Sequence, residues 1–180
     1  QQISAAFPRL NFYDVDLTIP LRYAAATGAF PLARCRAEFE GDTLLRLIIV
    51  DSRWEINPLP APLRVLRLAP DCDPAHAAPQ FIEAQFEKYS YRLPLHPARA
   101  LLVNLAALLR RLDPDILLTG WGDTWLLPTL LELSEQLDLP LPLNRETGRS
   151  TAHRKARSYF SYGQIVYRGP QVLLFGRWHI

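Results

Sequence analysis

Five aspartates, Asp71, Asp73, Asp113, Asp115 and Asp123, stand at or near the ends of strand-like runs in a chain of 180 residues. Carboxylates at the ends of neighbouring strands are the donors with which a two-metal nuclease holds divalent ions about 3.5–4 Å apart. Aspartate is equally a residue of turns and helix ends. Asp71 and Asp73 bracket a loop, and Asp113-Pro114 ends a helical run. On spacing alone, the turn and cap roles are preferred.

A second constellation lies in TAHRKARSYFSYG, residues 151–163. It brings Arg154, Lys155 and Arg157, with Arg149 just before, beside Tyr159, Phe160 and Tyr162. Cations that follow a phosphate backbone and rings that stack on bases suit single-stranded nucleic acid. A solvated loop leading into a hairpin with a buried aromatic face has the same composition. Both readings stay open.

Other chemistries find no support. GWG at residues 120–122 is too short for a dinucleotide or phosphate-loop fingerprint. Ser, Cys and His lack a nucleophile-elbow context or triad spacing. His76, His96, His153 and His179 are scattered without metal-ligand spacing and read as structural or surface residues. Cys35 and Cys72 make neither a disulfide framework nor a zinc site; reduced, buried thiols of a cytosolic protein are the expectation.

The elements that must position these residues follow from periodicity. RLNFYDVDL (9–17) reads as a strand. PLRYAAATG (20–28) reads as a short helix opened by proline and closed by glycine. LARCRAEFE and TLLRLIIVDS around EGD form a hairpin. A proline-studded connector at 56–64 marks a boundary, giving a β-rich portion at 1–60 and a second domain at 61–180. LRVLRLA (63–69) is a strand, and PDCDPAHAAPQ is a loop. PARALLVNLAALLRRL (97–112) is a helix whose apolar face carries Leu101, Leu105, Leu108 and Leu112, joined by Leu102 and Leu109. DILLTG (115–120) is a short strand expected to be buried on both faces, and PTLLELSEQL (128–137) is a further helix. SYFSYGQIVYRG and QVLLFGRW return to β structure around Gly169-Pro170. The class is α/β, a mixed central sheet flanked by helices.

Composition is that of a globular chain: 49% hydrophobic, 21% charged, net charge +2. So small a charge excludes a global nucleic-acid footprint, and any basic surface must be local. The 16 prolines lie mostly in connections. No apolar run is long enough to cross a bilayer, and the start lacks a signal-peptide core, so no membrane partner and a cytoplasmic location are expected. The start lacks methionine and VLLFGRWHI reads as a strand stopped in mid-course, so a piece of a longer chain is expected.

LDPDILLTGW, LLPTLLELSEQLDLPLPLNRE and GRWHI together resemble the 3′–5′ exonuclease region of family B DNA polymerases, with the bacterial DNA polymerase II branch nearest. FYDVDLTIPLRYAAATGAFPL resembles a segment of that family's N-terminal domain, and PLRVLRLAPD falls where its first exonuclease strand stands. The likeness keeps its order over nearly the whole chain. It implies an RNase H-like 3′–5′ exonuclease fold with a small β-rich N-terminal portion. It also implies a bacterial, nucleoid-associated protein of DNA replication or repair, and the remaining domains of a parent polymerase as partners beside primer or template DNA.

The metal-binding positions depart from the family. Where the first motif needs Asp-x-Glu, the chain has Ala69-Pro70-Asp71. Where the second needs Asn and then Phe-Asp, it has Gly122 and then Trp125-Leu126; without the one-residue deletion, Leu127 takes the aspartate position. Alanine and leucine have no oxygen for a hard cation. The expectation is a degenerate exonuclease domain with no catalytic residues and no cofactor, Mg²⁺ or Mn²⁺ entering only if Asp71, with Asp73 or Asp123, rescues the site. Palm-domain motifs are absent, so the chain alone is not expected to synthesise DNA. Two alternatives stand beside this: an active metal-dependent exonuclease with relocated carboxylates, and a protein-interaction module reusing the fold.

Overall fold

A computed structural model describes Arg9 and residues 18–180 apart from Thr147, with Ser161 described by its backbone only. The chain divides into two compact units between Pro62 and Leu63. In the first, helix α1 spans Ile19–Thr27. Pro20 sits where a helix has no use for its missing N–H, and Gly28 closes the helix at φ 74°, its N–H donating to the Ala24 carbonyl. Strands β1 (Cys35–Glu40) and β2 (Thr43–Ile49) pair antiparallel, as the EGD turn requires. Arg34 clamps their open end, donating its backbone N–H and Nε to the Asp51 carboxylate at 2.8 and 2.7 Å. Cys35 is exposed rather than buried, since every residue of β1 faces solvent, and Cys72 is half-buried. The run read as a strand at 9–17 lies outside the described residues except for Arg9, which is in a turn.

The second unit is built on a five-stranded mixed sheet. Its strands are β3 (Val65–Pro70), β4 (Phe81–Phe86), β5 (Tyr89–Pro94), β6 (Ile116–Thr119) and β11 (Trp178–His179), in the order β11-β6-β3-β4-β5. β3, β6 and β11 run parallel, while β3, β4 and β5 form an antiparallel meander. The β4–β5 hairpin falls in a stretch where the sequence yielded no element. Its alternation, Ile82 and Ala84 buried between more exposed neighbours, is the signal that was there.

One face of this sheet carries the core. Leu66, Leu68, Ile82, Ala84, Leu93 and Leu117 share that face by register and are 0–5% exposed. Helices α2 (Ala98–Leu112) and α3 (Leu127–Gln136) pack on it through Leu101, Leu102, Leu105, Leu109, Leu127 and Leu130. Each fully buried leucine contributes about 2 kcal/mol of transfer free energy. β6 is therefore not buried on both faces: Leu118, on the uncovered side, is 42% exposed. Nor is the tail a single strand. β10 (Gln171–Leu173) pairs with β7 (Ala152–Arg154), whereas β11 joins β6. Between β10 and β11 the chain turns at Gly176, whose φ of 72° and close neighbour Arg145 leave no room for a side chain.

The remaining strands, β8 (Arg157–Ser161) and β9 (Gln164–Arg168), pair antiparallel and continue β7 and β10. Lys155-Ala156 and Gly169-Pro170 interrupt this longer ribbon. Proline cannot donate to a ladder, so the break falls there.

Candidate functional site

Parallel strands deliver their C-terminal ends to one edge of the sheet. β3 exits there through Ala69, Pro70 and Asp71, and β6 through Gly120, Trp121, Gly122 and Asp123. The two exits touch: Gly120 N–H donates to the Leu68 carbonyl at 2.8 Å, and a Cβ on Gly120 would stand 3.1 Å from that of Ala69. Trp121 takes a left-handed φ of 57°, and a π-helical turn, Gly122–Leu126, leads into α3. A π turn holds one residue more than an α turn. It lies at the place where comparison with the exonuclease motif leaves a one-residue ambiguity. Both leucines in question, Leu126 and Leu127, are 0% exposed, and Trp125 packs against the same core.

The neighbouring carboxylates already have partners. Asp71 Oδ1 accepts the Gln80 N–H at 2.9 Å and tethers the loop before β4. Asp73 accepts the Ala75 N–H at 2.8 Å and lies 2.7 Å from His76 Nδ1. Asp123 Oδ1 accepts the Val172 N–H at 2.6 Å. His179 completes this corner: its Nε2 is 2.8 Å from Thr119 Oγ1, and its Nδ1 is 3.1 Å from the Val172 carbonyl and 3.5 Å from Asp123. A ring protonated on Nδ1 satisfies these contacts, donating to Val172 and accepting the Thr119 hydroxyl proton. A side chain on Gly122 would overlap Thr119 Oγ1 and stand 2.5 Å from His179 Nε2. The donor set does not fit a two-cation clamp. Ala69, Leu126 and Leu127 offer no oxygen, and among the described residues no group of three or more His, Cys, Asp or Glu could hold a metal ion.

Asp113 and Asp115 belong to the opposite edge. Asp115 precedes β6, where its carboxylate accepts the Arg64 backbone N–H at 2.7 Å and pairs with Arg145 Nη1 at 2.7 Å. Those two bonds hold its carboxyl down to about 2. Asp113 ends α2 at φ 38° and binds Arg145 and Arg177 at 2.7 and 3.2 Å; the Arg145 hydrogen bond lowers its pKa most. Arg177 is 5% exposed and donates to the carbonyls of Pro114, Pro142 and Leu143. This cluster ties the chain before β11 to the start of β6. The five aspartates thus divide between two ends of the sheet, and no single site collects them.

The basic-aromatic residues sit on or beside the ribbon. Arg149 lies before it, bound to Glu146 at 3.1 Å and resting on the Phe175 ring. Arg154 donates to Gln171 Oε1 at 3.3 Å, across the ribbon. Lys155 is exposed in the interruption. Arg157 and Tyr159 stand in contact on β8, with Phe160 73% exposed and Tyr162 fully exposed at the turn. The ribbon is anchored at the other end, where Val172 is 3% exposed and bonded to Asp123 and His179.

No protein-family model matches the chain, and no curated protein matches it. Solved structures do. The fold is similar to part of a family B DNA polymerase. That polymerase comes from the hyperthermophilic archaeon Pyrobaculum calidifontis, at a TM-score of 0.57 and 18% identity. The match covers 93% of this chain and 22% of that one, so this chain spans about a fifth of the polymerase's length. Among the described residues no helix is long and apolar enough to cross a membrane.

Three residues that organise these corners went unread in the sequence. Arg145 and Arg177 are single arginines in loops, with no local spacing to mark them. His179 carries no spacing that sets it apart from the other histidines, yet it is the one whose side chain is buried, at 6% exposure. His76, His96 and His153 are exposed.

Proposed function

We propose that this chain is a non-catalytic 3′–5′ exonuclease-like region, of RNase H-like fold, from a family B DNA polymerase of the bacterial DNA polymerase II type. The first portion corresponds to the end of the polymerase N-terminal domain. Its role is to support the polymerase body and to hold single-stranded DNA along the basic-aromatic ribbon. The observation that carries this is the corner at the C-terminal ends of β3 and β6. Where two cations would need anionic oxygens, Leu126 and Leu127 are part of the hydrophobic core and Asp123 is bound to Val172. The order of motifs along the chain and the polymerase-like fold support the family assignment.

The test is direct. Purified chain is incubated with end-labelled single-stranded DNA and Mg²⁺ or Mn²⁺, and the 3′ end is followed on a gel. No trimming above background is expected. Metal-dependent trimming that vanishes in Asp71→Ala would instead establish an active nuclease with relocated carboxylates. Binding to a labelled oligonucleotide that weakens steeply as salt rises is expected for the DNA-holding role. A chain that binds no DNA at low salt is left with the interaction-module reading.

A further inference from the structure

The pairing register gives the ribbon tip two unlike faces. Arg157 stands opposite Arg168 and Tyr159 opposite Val166, so these four share one side. Ser158 with Tyr167, and Phe160 with Ile165, share the other. On the first side both guanidinium groups lie against the Tyr159 ring, at 5.8 and 5.4 Å from its centroid. The second side carries no charged residue, and its Phe160, Ile165 and Tyr167 are largely exposed.

Two like charges directly opposite across a strand pair repel each other. Arg34, Arg64, Arg92, Arg145, Arg149 and Arg177 each find a carboxylate, whereas, among the described residues, Arg36, Arg46, Arg67, Arg110 and Arg111 do not. Among the described residues no carboxylate lies within ion-pair distance of Arg157 or Arg168. The pair is unfavourable by itself, exposed, and gathered around one aromatic ring. An anion entering between the two charges adds two attractions that together outweigh the repulsion.

We infer that Arg157, Tyr159 and Arg168 form a subsite for one nucleotide of single-stranded DNA, its phosphate between the two guanidinium groups and its base on the aromatic-guanidinium platform. This rests on the DNA-holding role proposed above and narrows it to one face. Arg168, outside the basic-aromatic run, belongs to the subsite, and Phe160 does not.

The experiment is a fluorescence-anisotropy titration of a labelled oligothymidylate with the whole chain at several salt concentrations. Arg168→Gln is expected to weaken binding by on the order of fivefold or more and to lower the salt slope by about one. Phe160→Ser is expected to leave affinity within about twofold, since that face offers no charge. Arg168→Gln should also leave the unfolding temperature about unchanged, because the relieved repulsion offsets the lost contact with the Tyr159 ring; a merely structural arginine would lower it. Native binding with Arg168→Gln silent and Phe160→Ser damaging overturns the choice of face while sparing the DNA-holding role. Absence of salt-dependent binding by the native chain sinks both.

Discussion

Asp123 accepts the backbone N–H of Val172 at 2.6 Å, and through that bond the acid that follows β6 fastens the base of the ribbon. Val172 is 3% exposed, so its amide has no water to turn to if the carboxylate is lost. Asp123→Ala is expected to destabilise the unit by about 1–3 kcal/mol. Urea denaturation checks this, and the same variant should leave DNA trimming at background.

Adding an acid to this corner should not create a metal site. Leu126 packs in the core with no exposed surface. Leu126→Asp would bury a carboxylate without a partner and is expected to destabilise by about 4 kcal/mol or more. A large fall in the denaturation midpoint, with no Mn²⁺ binding by calorimetry, is the outcome to look for.

Gly122→Asn meets a different obstacle. Its Cβ would collide with Thr119 and His179, which are hydrogen-bonded to each other. Displacing that pair is expected to destabilise by about 1–3 kcal/mol. Gly122→Ala should show most of the same loss in thermal melts, since the clash begins at the first side-chain atom.

The other end of the sheet sets an acid limit. Asp115 is held down to about 2 by the Arg64 N–H and by Arg145. A carboxyl depressed on folding adds stability that is present above its unfolded value, near 3.9, and lost as pH falls through the folded value. The unfolding midpoint is therefore expected to fall between pH about 4 and about 2, and to fall less steeply in Asp115→Asn. Equal slopes in both proteins would remove Asp115 from that account.

Much of the scaffold was legible because it rests on local signals. Leucines at helical spacing announced α2, proline and glycine bounded α1, and EGD marked the β1–β2 turn. What stayed hidden depends on contacts remote along the chain. The corner of Thr119, Asp123, Val172 and His179 joins residues 49 to 60 positions apart. Arg177 reaches carbonyls more than 30 residues away, so nothing near it in sequence reveals its burial. Leu118 was expected to be covered because an apolar run carries no information about which of its sides meets a helix. The place of Arg168 in the ribbon was equally invisible: only the pairing register sets it opposite Arg157, on the side that carries Tyr159.

The fastening of Val172 at the C-terminal edge of the sheet makes metal chemistry a steep climb from this corner. An isolated acid introduced at Leu126 or Leu127 would strain or hydrate a continuous interior, and neither alone would gain an ion in exchange. Only several changes made together, with the ribbon's base moved aside, would open a basin for two cations. A sequence drifting one residue at a time meets a barrier at Gly122 and another at Leu126.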